Sequence, residues 1–412
     1  MSFLVKFRKA LAVFKVATLK TDPLTGGMAG LIGGDGRITS AVNNTPAPER
    51  LHLLRSKLAK IRTGLTTGTN GIDGQLRIGI VGDSTTMGAG AGTGTVGTTG
   101  ARPKCVGRQL VSQFTQQGIA ARADTFMGDQ GYFNVSGSIT GYPLYDPRVT
   151  FGGTTGIYPN ASYRSLGGIY FQLKAASDTL TFTPENSWDT AVIYYENGSA
   201  GVATMSLGNA AAISGGSTVT TTNSGGAFSF GKRTITITKA STSLIFTQTS
   251  GTPVIRGVWC YDSTTPSVNI FNLGIFGEQL SVVQPFASPA FSADVYDAII
   301  INMSINDIGA GVSVDAYISA LNTLVTNARA TGADVLLATT SVTNRADSVV
   351  LPYVVAIMNY AYVNGLQVID LYSRMGAFSK ANTNGLMYDN LHPSAPGYQD
   401  ICVAYGNTLV RP

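Results

Sequence analysis

Apolar residues along this chain fall into two textures. In residues 76–133, and again from 268 onward, short unbroken apolar runs end in glycine or small polar residues. Ile78-Gly79-Ile80-Val81 runs into Gly82-Asp83-Ser84, and Val268 to Leu273 runs into Gly274-Ile275-Phe276-Gly277. Asp297-Ala298-Ile299-Ile300-Ile301 is followed by Ser304-Ile305-Asn306-Asp307. Further strands are predicted near 121–126, 334–338 and 366–370, with helices over 106–116, 314–330, 349–364 and 396–410. Continuous apolar runs suit strands buried on both faces, and strand–helix alternation builds a parallel sheet covered by helices on both sides. The expectation is a three-layer α/β/α, flavodoxin-like domain formed by residues 71–133 and 269–412. Residues 88–100 are too rich in glycine for a regular element, so a flexible loop beside Ser84 is expected there.

Between 134 and 268 the texture changes to period-two alternation. Gly168 to Leu173, Leu180-Thr181-Phe182-Thr183, Thr190 to Tyr195, Arg233 to Thr238 and Leu244-Ile245-Phe246-Thr247 are separated by Gly, Asn and Ser clusters. Such spacing predicts a β-sandwich or jelly roll inserted within the α/β domain. Ahead of both lies an N-terminal helical and irregular extension, residues 1–70. Phe3, Leu4, Phe7, Leu11 and Phe14 recur at helical spacing, and a second helical stretch over 49–61 places Leu51, Leu54, Leu58 and Ile61 on one face.

Composition narrows the function classes. The 412 residues are 44% apolar and only 12% charged, which indicates a folded, loop-rich protein. The net charge of +5 is small for this length, and its N-terminal lysines and arginines read as solvated helix faces, so no nucleic-acid partner is expected. Cys105, Cys260 and Cys402 are far apart, without the spacing of a disulfide framework or a zinc site, and no metal is expected. No run reaches the roughly 18 apolar residues of a membrane span. Lys15 interrupts the N-terminal apolar run and no small-residue cleavage site follows, so no secretory signal is expected.

A serine at the carboxyl end of a buried strand is either a helix N-cap or a nucleophile. Nucleophilic serine needs a base in hydrogen-bond reach and a group to orient it. The chain has two histidines. His52 lies in the N-terminal helical stretch between Leu51 and Leu53 and not in a strand-end loop. His392 follows Asp389 by three residues, in a loop ahead of the last helix, so one loop can present both imidazole and carboxylate. Gly277 and Asn306 each follow an apolar strand, as Ser84 does. A strand-end glycine can expose its N–H to a ligand, and an asparagine offers an uncharged NH2 donor, which together suit a tetrahedral oxyanion.

In chain order, Gly82-Asp83-Ser84, Asn272 to Gly277, Asn306-Asp307 and Asp389-x-x-His392-Pro393 resemble the four blocks of the SGNH (GDSL-type) hydrolases. The resemblance covers residues 76–133 and 269–412. It implies Ser84 as nucleophile, His392 as base, Asp389 as its orienting acid, and an oxyanion hole made by the Ser84 N–H, the Gly277 N–H and the Asn306 side chain. Asp83 and Asp307 are expected to tie the loops together, and no cofactor is implied. The third block departs from the family pattern, with Ser304 where a glycine is usual. For the second block, Gly131 in Gly128-Asp129-Gln130-Gly131 is a rival to Gly277.

Members with a β-sandwich before the second block resemble carbohydrate O-acetylesterases, in which the insert is like a carbohydrate-binding module. Trp188, Tyr194, Tyr195, Trp259 and Tyr261 then serve either as sugar-stacking faces or as sandwich core. The implied substrate is an O-acetylated polysaccharide. The alternatives are an esterase or lipase acting on small acyl esters, and a non-catalytic glycan-binding adhesin. Loop texture and the N-terminal segment also resemble phage tail enzymes, which implies an extracellular or virion-associated protein with residues 1–70 attaching it to a virion or forming a homo-oligomer.

Overall fold

Six parallel strands form the centre of the computed structural model, which describes residues 51–64, 74–133, 138–157, 164–196, 202–208, 213–221 and 230–410. They are β1 (Gln75–Gly82), β2 (Ala121–Arg122), β3 (Ser267–Gly274), β4 (Ala298–Asn302), β5 (Asp334–Ala338) and β6 (Gln367–Ile369), in the spatial order β2-β3-β1-β4-β5-β6. The apolar runs lie in this sheet because it is covered on both sides, and Ile78, Ile80, Ile270, Leu273, Ile299 and Ile300 are fully buried. Register sets up the site. Gly82 pairs with Gly274 on one side and with Asn302 on the other, so β1, β3 and β4 end level and their loops leave the sheet side by side. Among the described residues no helix is long and apolar enough to cross a membrane.

The helix His52–Thr63 packs against this sheet and so belongs structurally with it, although the pattern placed it in a separate extension. Leu51, Leu54, Leu58 and Ile61 are buried, as their spacing requires. Lys57 is buried with them and donates to the Gln75 carbonyl and to Asp297, which also receives Arg77. Asp297 and Asp334 adjoin the amino ends of β4 and β5, so this helix closes the edge opposite the Ser84 loop. The helix expected over residues 3–14 and the attachment role of residues 1–50 lie outside the described residues.

Two antiparallel sheets form the inserted unit. One has the order Ile213–Ser214, Phe230–Ala240, Trp188–Glu196, Val254–Tyr261, Phe171–Gln172, Gly156–Ile157; the other is Thr218–Thr221, Ala203–Gly208, Leu244–Ser250, Thr179–Phe182, Val149–Gly152. Their inner faces meet through aromatic rings, with Phe126 5.2 Å from Phe182 and Phe151 5.1 Å from Phe171 between centroids. The insert begins earlier than the expected residue 134. The strand foreseen near 121–126 splits, Ala121–Arg122 joining the parallel sheet while Thr125–Met127 pairs with Trp259, Val258 and Gly257 of the sandwich. An apolar run encodes a strand without naming its partner, so periodicity alone misplaced this boundary.

The sandwich rests directly on the parallel-sheet domain. Trp259 donates to Asn269 Oδ1 at 3.0 Å and packs edge-on to Phe271 of β3. Arg256, 1% exposed, forms a buried ion pair at 3.1 Å with Asp294 at the end of the helix Leu280–Asp294. Removing one partner of such a pair strands a buried charge at a cost of about 3–5 kcal/mol. Trp188, Tyr194 and Trp259 are all buried, so these three rings fill the core and the domain interface; Tyr195 and Tyr261 are half-buried.

Candidate active site

Ser84 is the first residue of a one-turn helix, Ser84–Met87, whose N-cap is Asp83. The Asp83 carboxylate accepts from the Thr85 N–H at 2.9 Å and from the Thr85 hydroxyl at 2.8 Å. Capping is therefore done by the aspartate, which leaves the serine Oγ for another partner. Gly82 has to be glycine for the turn to close, because a Cβ there would lie 1.9 Å from Thr86 Oγ1. Asn272 of β3 donates to the Thr86 carbonyl at 2.8 Å and fastens the end of the turn to the neighbouring strand.

That partner is His392, whose Nε2 lies 3.0 Å from Ser84 Oγ. Its Nδ1 lies 2.9 Å from Asp389 Oδ2. The other carboxylate oxygen of Asp389 accepts from the Leu391 and His392 N–H groups, each at 2.7 Å. This three-residue turn holds carboxylate and imidazole in one rigid piece. Burial pushes the Asp389 carboxyl up, but the hydrogen bonds from the His392 ring and from the two N–H groups outweigh it and hold the carboxyl below its usual value. The group is therefore ionised over the ordinary pH range. Burial pushes Asp83 the other way, above its usual value, against the opposing bonds from Thr85. His52 starts the helix at the far edge of the sheet and is exposed.

Residues 88–100 form an ordered, hydrogen-bonded loop, unlike the flexible loop expected from their glycine content. Gly90, Gly92 and Thr93 donate to Val96, Gly97 and Thr99. The glycines serve close approach: a Cβ on Gly90 (φ +89°) would lie 2.4 Å from the Pro393 carbonyl and 2.9 Å from His392 Cβ. The loop backs the histidine turn, and the Tyr388 hydroxyl joins the two by donating to the Gly94 carbonyl at 2.7 Å.

The two candidate donors follow β3 and β4. Gly277 has a φ of +75°, and no atom lies within 4 Å of where a Cβ would be. Asn306 Nδ2 donates to the Glu278 carbonyl at 2.9 Å, which ties the third block to the second. An amide carries two hydrogens, so one N–H is used in this tie and the second is available to a ligand. Asp307 accepts from the Leu280 N–H at 3.1 Å and so links the same two loops. Burial lifts its carboxyl to about 6, opposed by the Leu280 N–H. The rival Gly131 gives its N–H to Asp129 Oδ1 at 2.9 Å. Phe276, beside Gly277, lies with its ring 20° from the plane of the His392 imidazole and 6.2 Å from it between centroids.

Several supporting residues were not singled out from the sequence. Gln130 accepts from the Phe276 N–H through its carbonyl at 3.1 Å and donates from its amide to the Asn272 carbonyl at 2.7 Å. Glu278 meets Arg164 of the insert at 2.5 Å. Glu278 could have been flagged by its place beside Gly277, whereas nothing in the local pattern around Arg164 marks it.

Comparison with known proteins places this geometry. The model of the GDSL-like lipase/acylhydrolase family matches residues 258–399, a span that holds Gly277, Asn306, Asp389 and His392 and begins after Ser84. Residues 258–399 are thus similar to a domain of that family, and the first strand of the parallel sheet and Ser84 are separated from them in sequence by the inserted β domain. A solved structure of a peptidoglycan O-acetylesterase superposes with a TM-score of 0.63 at 15% identity, covering 87% of this chain and 95% of that one. The lipase/acylhydrolase from Enterococcus faecalis matches at 20% identity and a TM-score of 0.32, over 34% of this chain and 75% of that one. The acetylxylan esterase Axe2 from Geobacillus stearothermophilus matches at 18% identity and a TM-score of 0.32, over 35% and 73%. No curated protein sequence matches the chain.

Proposed function

We propose that this protein is a serine esterase that removes O-acetyl groups from a polysaccharide. The observation that carries this reading is the unbroken chain of hydrogen bonds from Ser84 Oγ through His392 to Asp389. His392 Nε2 takes the hydroxyl proton as Ser84 Oγ attacks the ester carbonyl, and Asp389 holds the ring in the tautomer with Nδ1–H. The oxyanion is received by the Ser84 N–H, the Gly277 N–H and the Asn306 NH2. As the tetrahedral species collapses, His392 returns the proton to the departing sugar oxygen and leaves acetyl-Ser84. Water then gives a proton to His392 and attacks the acyl carbon, and acetate leaves as Ser84 recovers its proton.

The fold shared with a peptidoglycan O-acetylesterase, which includes most of this chain's length, supports an acetylated glycan as substrate. Ser84→Ala should lower turnover of 4-nitrophenyl acetate by at least roughly 10⁴-fold while leaving the melting temperature nearly unchanged. Full activity in that variant would sink the serine mechanism. The glycan reading is tested by acetate release from a panel of O-acetylated polysaccharides. Turnover confined to soluble esters, with equal or better rates on longer acyl chains, would replace it with a general acyl esterase.

A further inference from the structure

Gly277 is exposed and adopts a left-handed φ of +75°, with open space where a side chain would stand. Its neighbours are held by bonds within the parallel-sheet domain, Ile275 N–H to the Gly82 carbonyl at 2.9 Å and Asn306 to the Glu278 carbonyl, and by further bonds that run to the inserted domain. Arg164–Ser165 and Gly168–Ile169 pair as a small hairpin on that domain. Arg164 Nη1 meets Glu278 Oε1 at 2.5 Å across 114 residues of sequence, both side chains being about one-fifth exposed. At the hairpin tip the Gly167 carbonyl accepts from the Gln130 N–H at 2.7 Å, and the Gln130 carbonyl in turn accepts from the Phe276 N–H. Contact there is close enough that a Cβ on Gly128 would lie 2.4 Å from the Gly167 oxygen. The hairpin is itself fastened, because Ser165 Oγ accepts from Arg256, the residue paired with Asp294.

We propose that Arg164 is a positioning residue for catalysis: by holding Glu278 it sets the Gly277 N–H and, through the Glu278 carbonyl, the Asn306 amide. The inserted domain thus shapes the oxyanion hole in addition to any contact it makes with a glycan. This inference rests on the esterase reading above. An ion pair shielded from bulk water on most of its surface fixes a loop better than one in solvent, since screening and side-chain freedom take away most of the value of an exposed pair. Shifts of the order of 1 Å in a reacting geometry cost about 10²-fold in rate, so a loosened loop is felt in turnover.

The experiment uses the full chain and 4-nitrophenyl acetate, a substrate too small to need a glycan platform. Arg164→Met should lower kcat roughly 10- to 100-fold with KM changed by less than about twofold. Arg164→Lys, which keeps the charge, should recover most of the loss. On an Asn306→Ala background Arg164→Met should cost much less than it does alone, because both act on the same hole. Unchanged kcat, a loss confined to KM, or full additivity with Asn306→Ala would overturn the proposal. If Arg164→Met does not fold, Glu278→Gln gives the same reading, with the same kcat loss expected. Failure of the esterase reading is recognised separately, as turnover that survives Ser84→Ala.

Discussion

Ser84 and the His392 turn are each shaped by bonds spanning two or three residues, whereas the loop carrying Gly277 is held by bonds spanning 28 and 114. Asp83 caps its own helix and Asp389 fastens its own turn. The parallel register of β1, β3 and β4 then brings them within hydrogen-bond distance. The Gly277 loop has one turn bond of its own, from the Glu278 N–H to the Ile275 carbonyl at 3.5 Å, and otherwise leans on distant residues. It is tied to Asn306 from the short helix Ile305–Ala310 after β4, Gln130 from the loop after Thr125–Met127, and Arg164 from the insert. The Ser84 and His392 pieces thus combine short-range bonds with ties to β3 and to the 88–100 loop, while the Gly277 loop also leans on a second domain.

Substitutions can separate the two halves. The largest effect is expected on the local one: Asp389→Asn should lower kcat by roughly 10³- to 10⁴-fold, because the amide favours the wrong imidazole tautomer. The loss should appear on every ester tried, and a loss of less than tenfold would show that the turn holds His392 without the carboxylate. Asn306→Ala should cost roughly 10²- to 10³-fold in kcat with little change in KM; an effect on KM alone would move that residue out of the oxyanion hole.

The smallest effect concerns stability and pH. Asp129 fastens the loop between the hairpin and Phe276 by accepting from the Gly131 and Ile169 N–H groups, each at 2.9 Å. Burial raises its carboxyl to about 6 against those bonds. Since the folded state then holds the proton more tightly than the unfolded chain, stability falls as pH rises between about 4 and 6 and levels off above. The full shift corresponds to about 3 kcal/mol, an upper bound that amounts to a few degrees in melting temperature. Asp129→Asn should therefore lose less melting temperature between pH 4.5 and pH 7 than the parent does. Parallel pH profiles for the two proteins would refute this account.

These contrasts mark how far the sequence could be read. The strands ending at Gly82, Gly274 and Asn302 were legible because a continuous apolar run followed by small polar residues has one good structural solution, a buried parallel strand with a functional loop. Asp389 and His392 were legible because their relation is contained within three residues. The boundary of the insert was read about ten residues late, and the glycine-rich stretch after Ser84 was read as flexible. Both errors have one origin: a strand's partner and a glycine's close neighbour belong to other parts of the chain. Gly90 looks like a loop former until the Pro393 carbonyl is found where its Cβ would be.

What the sequence determined by itself is the chemistry on offer: a serine after a buried strand, a histidine and an acid in one loop ahead of the last helix, and two donors after two further strands. Short-range hydrogen bonds and hydrophobic period encode these directly. Tertiary structure alone decided which glycine N–H is committed elsewhere, which aromatic rings are buried, and which arginine meets Glu278. Those outcomes depend on surfaces that meet only after the chain has folded, where a contact's value comes from burial and from its partner, and neither is written in the residues on either side of it.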